Sequence, residues 1–470
     1  MSQGEQLHAE VLRGRFGPAL AAIASLRETE PAWAVLIERS HALASGAELA
    51  LGPVPSGPGA WRLALFLVRE AITGIRPMPE VARPDHPVAG PLIDGWRALA
   101  TGGAPVALEE VAAEARRAQQ PALVVECAAL TALFAARDGD HREALRHGRR
   151  ASRMARTESL PQSEYLAGLT LARLRRQAGH PHLAARILLG LRPFVSPHWL
   201  PWLEWELALA GDRSVSTPAA TALLTARRAA GEGERAGLEA ALTDARTRVA
   251  GFRLLADEAE HVAALLEPDA PRLTAEQERA FSAFAGDAYV VCSPSGPGRR
   301  VREASLPLVS ATVVESGGKK QKRIATLAAV LGLAGAPLDE AECFERVYGF
   351  RFVPEMHRGS FDVLLHRARA SLEGLATFER SGDTVAMQVL APFAIADPRM
   401  VEPAEARVLR AIASGGTTAK EIAGATGLSL RQTQTLLKSL ADEGECAATK
   451  EGRIMRYAVE DTTFSEPTRA

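Results

Sequence analysis

At 470 residues the chain exceeds what a single hydrophobic core usually organises, and its 47% apolar content supplies core for two or three domains. With 55 basic against 56 acidic residues, the formal charge of −1 excludes indiscriminate coating of nucleic acid by the whole surface. Any nucleic-acid site must therefore be local.

Residues 1–267 are dominated by alanine, leucine and arginine and predict an almost wholly helical domain. Cys127–Ala155 reads as a small-residue helix (Ala128, Leu130, Leu133, Phe134), a Gly139-Asp140 turn and a second helix with Ala144-Leu145 and Ala151. Leu169–Leu191 repeats the plan with Ala172, Gly179-His180, Ala184-Ala185 and Leu188, and Leu12–Leu26 carries a degenerate copy. Gly139 and Gly179 are 40 residues apart. These segments resemble tetratricopeptide repeats, whose usual period is about 34 residues. The resemblance implies a superhelix with a concave face for a peptide, protein or small effector. An irregular helical bundle acting as scaffold is the alternative. Gly52–Gly59 and Arg76–Pro87, rich in proline and glycine, must be loops. Trp199, Trp202 and Trp205 read either as a ligand groove or as packing between repeats. Leu238, Leu242, Ala245, Val249, Phe252, Ala256, Ala259, Ala263 and Leu266 form a heptad seam on one long helix. That seam could pair with a second copy or pack on the last repeat.

Residues 288–392 predict a first α+β module. Lys319, Lys320, Lys322 and Arg323 lead into an apolar helix, Ile324–Leu333. Asp339 caps a second helix with Phe344 and Val347 inward, and a loop over Gly349–Glu355 precedes a third. On the third, Phe361, Leu364, Leu365, Ala368 and Leu372 make one stripe, with Arg358, His366, Arg367 and Arg369 largely off it. Phe378–Val389 reads as a hairpin turning at Ser381-Gly382. Lys319–Leu331, Val347-Tyr348-Gly349 and Leu365–Leu372 resemble the winged helix of OmpR-type and SARP-type regulators. The resemblance implies that the third helix reads the major groove. It also implies a small sheet before the first helix, with Ala288–Cys292 and Arg302–Val314 as its remnant, while Cys292–Arg300 reads as loop. The family's domain order is not kept, since the winged helix of SARP-type proteins precedes their helical repeats.

Residues 400–462 repeat the pattern more clearly. Val408, Leu409 and Ile412 face inward from a helix stopped by Gly415-Gly416. Thr418-Ala-Lys-Glu421 and Ser429-Leu-Arg-Gln432 are capping boxes flanking a Gly427 turn. The last helix has an apolar side (Leu430, Leu436, Leu437, Leu440) and an outward face of Arg431, Gln432, Gln434, Thr435 and Lys438. Arg and Gln suit bidentate contacts to guanine and adenine edges. A two-stranded ribbon follows, with Lys450, Arg453 and Arg456 placed for backbone phosphates. This tail resembles the winged helices of MarR-type and IclR-type regulators.

No catalytic constellation is found. Gly317-Gly318-Lys319-Lys320 fails as a phosphate loop because Val313 stands at the first glycine position and Lys320 replaces Ser/Thr. Gly-x-Ser-x-Gly and His-Glu-x-x-His are absent, and the helical N-terminal region offers no receiver domain with a phosphoacceptor aspartate. His180 and His182 read as an exposed turn pair, with no metal expected. Cys127, Cys292, Cys343 and Cys446 show no Cys-x-x-Cys and read as reduced core thiols. The N-terminus lacks the features of an export signal, and no apolar run spans a membrane. The expectation is a mainly α cytoplasmic protein, non-enzymatic and without cofactor. It comprises a tetratricopeptide-like domain followed by two winged helices, binds double-stranded DNA, engages an effector or protein partner, and forms a homodimer. The competing reading is an adaptor whose winged helices assemble proteins; an enzyme subunit of a DNA-processing complex is a third.

Overall fold

The structure, a computed structural model, describes residues 2–47, 54–178, 180–212, 214–232, 234–266, 288–302, 311–314, 318–399, 404–443, 445–452, 454–459 and 464. It is mainly helical with small sheets. The chain divides into two compact units: Met1–Thr221 with Ala245–Asp257 and Glu405–Ala470, and Ala222–Asp244 with Glu258–Ala404.

The first unit opens with α1 (Gln3–Leu12), α2 (Gly17–Ala21), α3 (Ile23–Thr29), α4 (Pro31–Ser45), α5 (Ala60–Thr73), α6 (Ala89–Thr101) and α7 (Glu109–Arg117). Residues 12–26 thus form the end of α1, a Gly14 turn and short helices, less regular than the helices after them. Next come α8 (Pro121–Arg137), α9 (His141–Thr157), α10 (Pro161–Gln177), α11 (Pro181–Leu191) and α12 (Leu200–Leu209). The starts of α8, α9, α10 and α11 are spaced by a constant 20 residues. Proline opens three of the four, where its fixed φ fits and its missing N–H costs nothing.

Each joint has the same hydrogen bond. Gln120 N, Asp140 N and Leu160 N donate to Ala115 O, Ala135 O and Ala155 O at 2.9 Å, and His180 N donates to Arg175 O at 2.8 Å. These six-residue closures need a left-handed residue just before them. Gln119 (φ 54°), Gly139 (86°) and Ser159 (51°) fill that position; Gly179 lies outside the described residues. Only Gly139 does so without steric cost. α8 and α10 are buried nearly all round and pack on each other, while α9 keeps a basic outer face.

Two arginines of α10 are buried with their counter-ion. Arg173 Nη1 and Arg176 Nη2 each lie 2.7 Å from the Glu206 carboxylate on α12. Trp202 Nε1 donates to the same carboxylate at 3.2 Å. Trp199, Trp202 and Trp205 are at most 1% exposed, so they are packing rather than a groove lining.

The long heptad helix does not form. α13 (Pro218–Glu232), α14 (Arg235–Val249) and α15 (Arg253–Leu266) are separate, with the predicted helix broken between α14 and α15 around Gly251. Leu242, Ala245, Val249 and Phe252 are fully buried, and Phe252 meets Trp202 edge-on at 5.5 Å. The spacing recorded burial, not a coiled-coil surface. His180 and His182 are likewise half-buried rather than exposed. Burial first, then His180, Arg410 and Arg175, pull the His182 pKa down to about 3. All four cysteines are buried and unbridged, and burial pushes the thiols of Cys127, Cys292 and Cys343 up to about 12.

The second unit contains β1 (Ala288–Ser293), β2 (Gly296–Arg302), β3 (Thr312–Val314), α16 (Gly318–Ala334), β4 (Leu338–Asp339), α17 (Glu340–Tyr348), α18 (Pro354–Ser371), β5 (Ala376–Ser381), β6 (Thr384–Val389) and β7 (Phe393–Ala396). A four-stranded sheet runs in the order β2-β1-β7-β3. The expected loop at Cys292–Arg300 is therefore a hairpin, since β1 pairs antiparallel with β2 despite its glycine and proline content. Proline is tolerated there because β2 is an edge strand. A Cβ at Gly332 would come within 2.5 Å of Cys292 Sγ, so glycine alone lets α16 lie that close to the sheet. Phe344, Phe361, Leu364, Leu365, Ala368 and Leu372 are buried in the core of this unit.

A Cβ added at Gly139 would meet no neighbour within 4 Å, so the role of this glycine is conformational alone. Ser159→Gly is expected to stabilise the chain by up to about 1 kcal/mol, whereas Gly139→Ala should destabilise it by a similar amount. Urea-unfolding midpoints of the two variants check this; the same sign in both would refute it.

Candidate nucleic-acid interface

The C-terminal part of the chain, all but its first residue in the first unit, carries α19 (Ala404–Ala413), α20 (Ala419–Thr426), α21 (Leu430–Asp442), β8 (Ala447–Glu451) and β9 (Ile454–Ala458). Both capping boxes are formed. Thr418 Oγ1 accepts from Glu421 N at 3.3 Å, and Glu421 Oε2 accepts from Thr417 N and Thr418 N at 2.9 Å. These backbone donors hold the Glu421 carboxyl below its ordinary pKa. Ser429 Oγ accepts from Gln432 N at 3.3 Å, while Gln432 Oε1 accepts from Ser429 N at 3.2 Å. Between the boxes Gly427 turns the chain at φ 68°. The two ends of the α20–α21 turn are therefore fixed by local chemistry before any packing.

Leu437 and Leu440 of α21 are buried against Val408, Leu409, Ile412 and Ile422. Leu430 is not part of this core: it is 47% exposed at the first turn, and Thr433 is buried in its place. The opposite face presents Arg431, Gln434, Thr435 and Lys438, all exposed. Gln432 is exposed too, but its carbonyl oxygen is engaged in the cap, leaving the amide nitrogen as its outward donor. On the ribbon, Lys450 is exposed. Arg456 is held by Glu451 and by Thr417 Oγ1 at 2.8 Å, which ties it to the module rather than leaving it extended. Arg453 lies outside the described residues.

This module is anchored on the helical part of its own unit. Arg175 on α10, fully buried, pairs with the Glu445 carboxylate, and its Nη2 donates to Glu445 O at 3.1 Å. Arg149 on α9 reaches the same carboxylate at 3.4 Å. Leu183 on α11 enters the module's apolar core, and Arg156 lies over the Phe464 ring at 5.1 Å. Sequence reasoning missed this seat, although three arginines (Arg173, Arg175, Arg176) inside an apolar helix signal that acidic partners must come from elsewhere. The exposed α21 residues lie apart from these contacts.

In the first module the expected cations divide by partner. Arg358 Nη2 pairs with buried Glu340 at 2.9 Å and lies 3.4 Å from Asp383, and Arg380 joins Glu340 and Asp362. Arg369 Nε donates to Phe378 O at 2.7 Å. Arg358 and Arg369 thus brace α18 against β5 and the Gly382-Asp383 turn, a role the charge pattern did not reveal. His366 and Arg367 are exposed on α18. Lys322 and Arg323 are exposed near the start of α16, with the Arg323 guanidinium 4.6 Å from the Tyr348 ring centre. The side chains of Lys319 and Lys320 lie outside the described residues.

Among the described residues no group of His, Cys, Asp and Glu is placed to hold a metal ion, and no helix is long and apolar enough to cross a membrane. No protein-family model, curated protein or solved structure matches the chain.

Glu445→Ala removes the carboxylate shared by Arg149 and Arg175, and its removal from a buried site should cost about 3–5 kcal/mol. Amide exchange in α19–β9 should then accelerate well before that in α8 and α9; uniform acceleration in all of them would contradict the anchor. Glu421 supplies a pH test. Its folded pKa is depressed, so its contribution is present above the ordinary glutamate range and is lost as pH falls through the folded value. Relative to Glu421→Gln, the parent should be more stable at pH 7, and the difference should close on acidification below about pH 4. A pH-independent difference would show that the cap is not carried by the carboxylate.

Proposed function

We propose that the chain is a sequence-specific regulator that binds double-stranded DNA through its last module, while the helical N-terminal region receives an effector or protein partner. The observation that carries this reading is the outward face of α21. Arg431, Gln434, Thr435 and Lys438 stand exposed on a capped helix that follows a tight Gly427 turn and precedes a hairpin. Helix, turn, helix and ribbon in that order fit a winged helix-turn-helix, with α21 as the reading helix. The 20-residue step of α8 to α11 supports a stacked repeat of the tetratricopeptide kind, at a longer period. Arg367, His366, Lys322 and Arg323 make the first module a second, weaker DNA contact. A twofold pair in the cytoplasm, reading two half-sites, completes the proposal.

One observation favours assembly with protein for the first module. Phe350, Met356 and Val363 are 50%, 75% and 48% exposed, and Val363 and Met356 lie about one and three turns before Arg367 along α18. Exposed apolar side chains beside a basic residue suit a protein partner as well as a groove.

Binding of the full chain to its preferred duplex, recovered by genome-wide capture and measured over a salt series, tests the proposal. Arg431→Ala and Gln434→Ala should each cost about 1–3 kcal/mol on that site and little on unrelated DNA. Neutralising Lys319, Lys320 and Lys322 together should weaken all sequences alike and flatten the salt slope by roughly one for each phosphate no longer neutralised. Unchanged affinity in both α21 variants would remove that helix as the reader. An unchanged slope in the lysine variant would leave the first module to protein contacts.

A further inference from the structure

The ribbon of the last module is fixed at its base and bare at its tip. At the base Tyr457 N donates to Thr417 O at 2.9 Å, Arg456 Nη1 donates to Thr417 Oγ1 at 2.8 Å, and the Tyr457 side chain packs against the module's core. Cross-strand pairs run outward from Ala448–Tyr457 through Thr449–Arg456 and Lys450–Met455 to Glu451–Ile454, where Gly452 turns the chain at φ 62°. Every residue of β8 is exposed. At the outer end of β9, Ile454 is 51% exposed and Met455 41%. Neighbouring residues of a strand point to opposite faces, so these two side chains make the tip apolar on both sides.

Apolar side chains scattered singly over a surface need no explanation. Two adjacent ones at the end of a ribbon left uncovered among the described residues are a liability unless a partner covers them. The charge beside them selects the partner. Glu451 is bonded to Arg456, whereas Lys450 is exposed and has no ionic partner among the described residues. The tip therefore offers apolar surface with one spare positive charge. Its reach is also defined. β8 is five residues long, which carries the tip about 16 Å from the end of α21. That is about half of the roughly 34 Å turn of a duplex, the offset between a major groove and the minor groove beside it. We propose that, with α21 in the major groove, the ribbon tip enters the neighbouring minor groove and wedges Ile454 between two base pairs, with Met455 on the groove wall and Lys450 on the phosphate rim.

This inference rests on the DNA reading above and adds a second source of discrimination to it. An apolar side chain inserted between base pairs unstacks that step and kinks the duplex toward the major groove. The cost of unstacking is least at pyrimidine–purine steps. Ile454 thus favours such a step at a fixed distance from the bases that α21 contacts, without a hydrogen bond to either base. The two bonds to Thr417 matter here, because a wedge works only when its base cannot yield.

The test uses the full chain and a duplex of about 30 base pairs carrying the site recovered by genome-wide capture, with 2-aminopurine stepped through the flank half a turn from the α21 contact. The fluorescence of this base rises when stacking is lost. The parent should bind and raise it severalfold at one step only. Ile454→Ala, a change at an exposed position, should abolish the rise and weaken binding about tenfold. Ile454→Lys should abolish the rise too but hold affinity within about threefold of the parent, because the added charge gains a phosphate contact. Parent-like fluorescence in either variant, or tight parent binding with no step unstacked, would overturn the wedge while leaving α21 as the reader. Failure of the parent to bind the captured duplex would instead overturn the DNA reading itself. If Ile454→Ala changes the sedimentation of the DNA-free chain and not the fluorescence of its complex, the tip belongs to a second copy and the wedge is overturned.

Discussion

The arrangement of the first unit depends on how α10 disposes of its buried charge. Arg173, Arg175 and Arg176 are at most 2% exposed, and guanidiniums cannot be left there without acidic partners. Glu206 takes Arg173 and Arg176, which fixes α12 against α10. Glu445 takes Arg175, which brings a residue 270 positions further along the chain onto the same helix. Buried ion pairs of this kind add little net stability compared with apolar packing, but one partner without the other is strongly disfavoured. Their effect is selective: they penalise any arrangement of the C-terminal module that does not return Glu445 to α10.

The same selection bears on the DNA reading. Glu445 stands after α21, at the start of the ribbon, and the apolar contact from Leu183 enters on the core side. The seat therefore uses the junction and the interior of the module and leaves Arg431, Gln434, Thr435 and Lys438 exposed. A small cleft among the N-terminal helices meets the same helix at its other end, where Gln162 and Ser163 of α10 line it. One helix of 17 residues thus borders the cleft and carries the anchor of the proposed reader. Shared position is not coupling; coupling would require α10 to have two discrete arrangements.

What the sequence disclosed depends on the range of the interactions involved. Capping boxes, turn glycines and helix-opening prolines act over a few residues, so Thr418–Glu421, Ser429–Gln432, Gly427 and the Gly139 joint were legible and have the expected geometry. The left-handed Gln119 and Ser159 were not, because neither residue type announces that backbone region. The heptad seam misled because a 3-4 apolar spacing records burial on a helix whatever covers it, and it continues in phase across the break at Gly251. The β2 strand was hidden by proline and glycine, which an edge position tolerates. Of the candidate DNA contacts, charge type was readable and charge commitment was not. Arg358, Arg369 and Arg456 are engaged by Glu340, Phe378 O and Glu451, contacts that only the folded chain brings together.

That difference in commitment separates the two similar modules. A side chain that braces its own fold has already exchanged water for protein partners, so moving it to DNA forfeits those contacts and the gain is small. In the first module Arg358 and Arg369 are of this kind, and the exposed remainder of α18 mixes Arg367 and His366 with Met356 and Val363. In the last module, the fixed parts of α21 are its cap and apolar side, and its outward Arg, Gln, Thr and Lys side chains remain exposed. Base readout requires donors that are hydrated beforehand and held on a rigid helix. On the proposed DNA reading, that criterion assigns sequence discrimination to α21 and leaves the first module to phosphate or protein contacts.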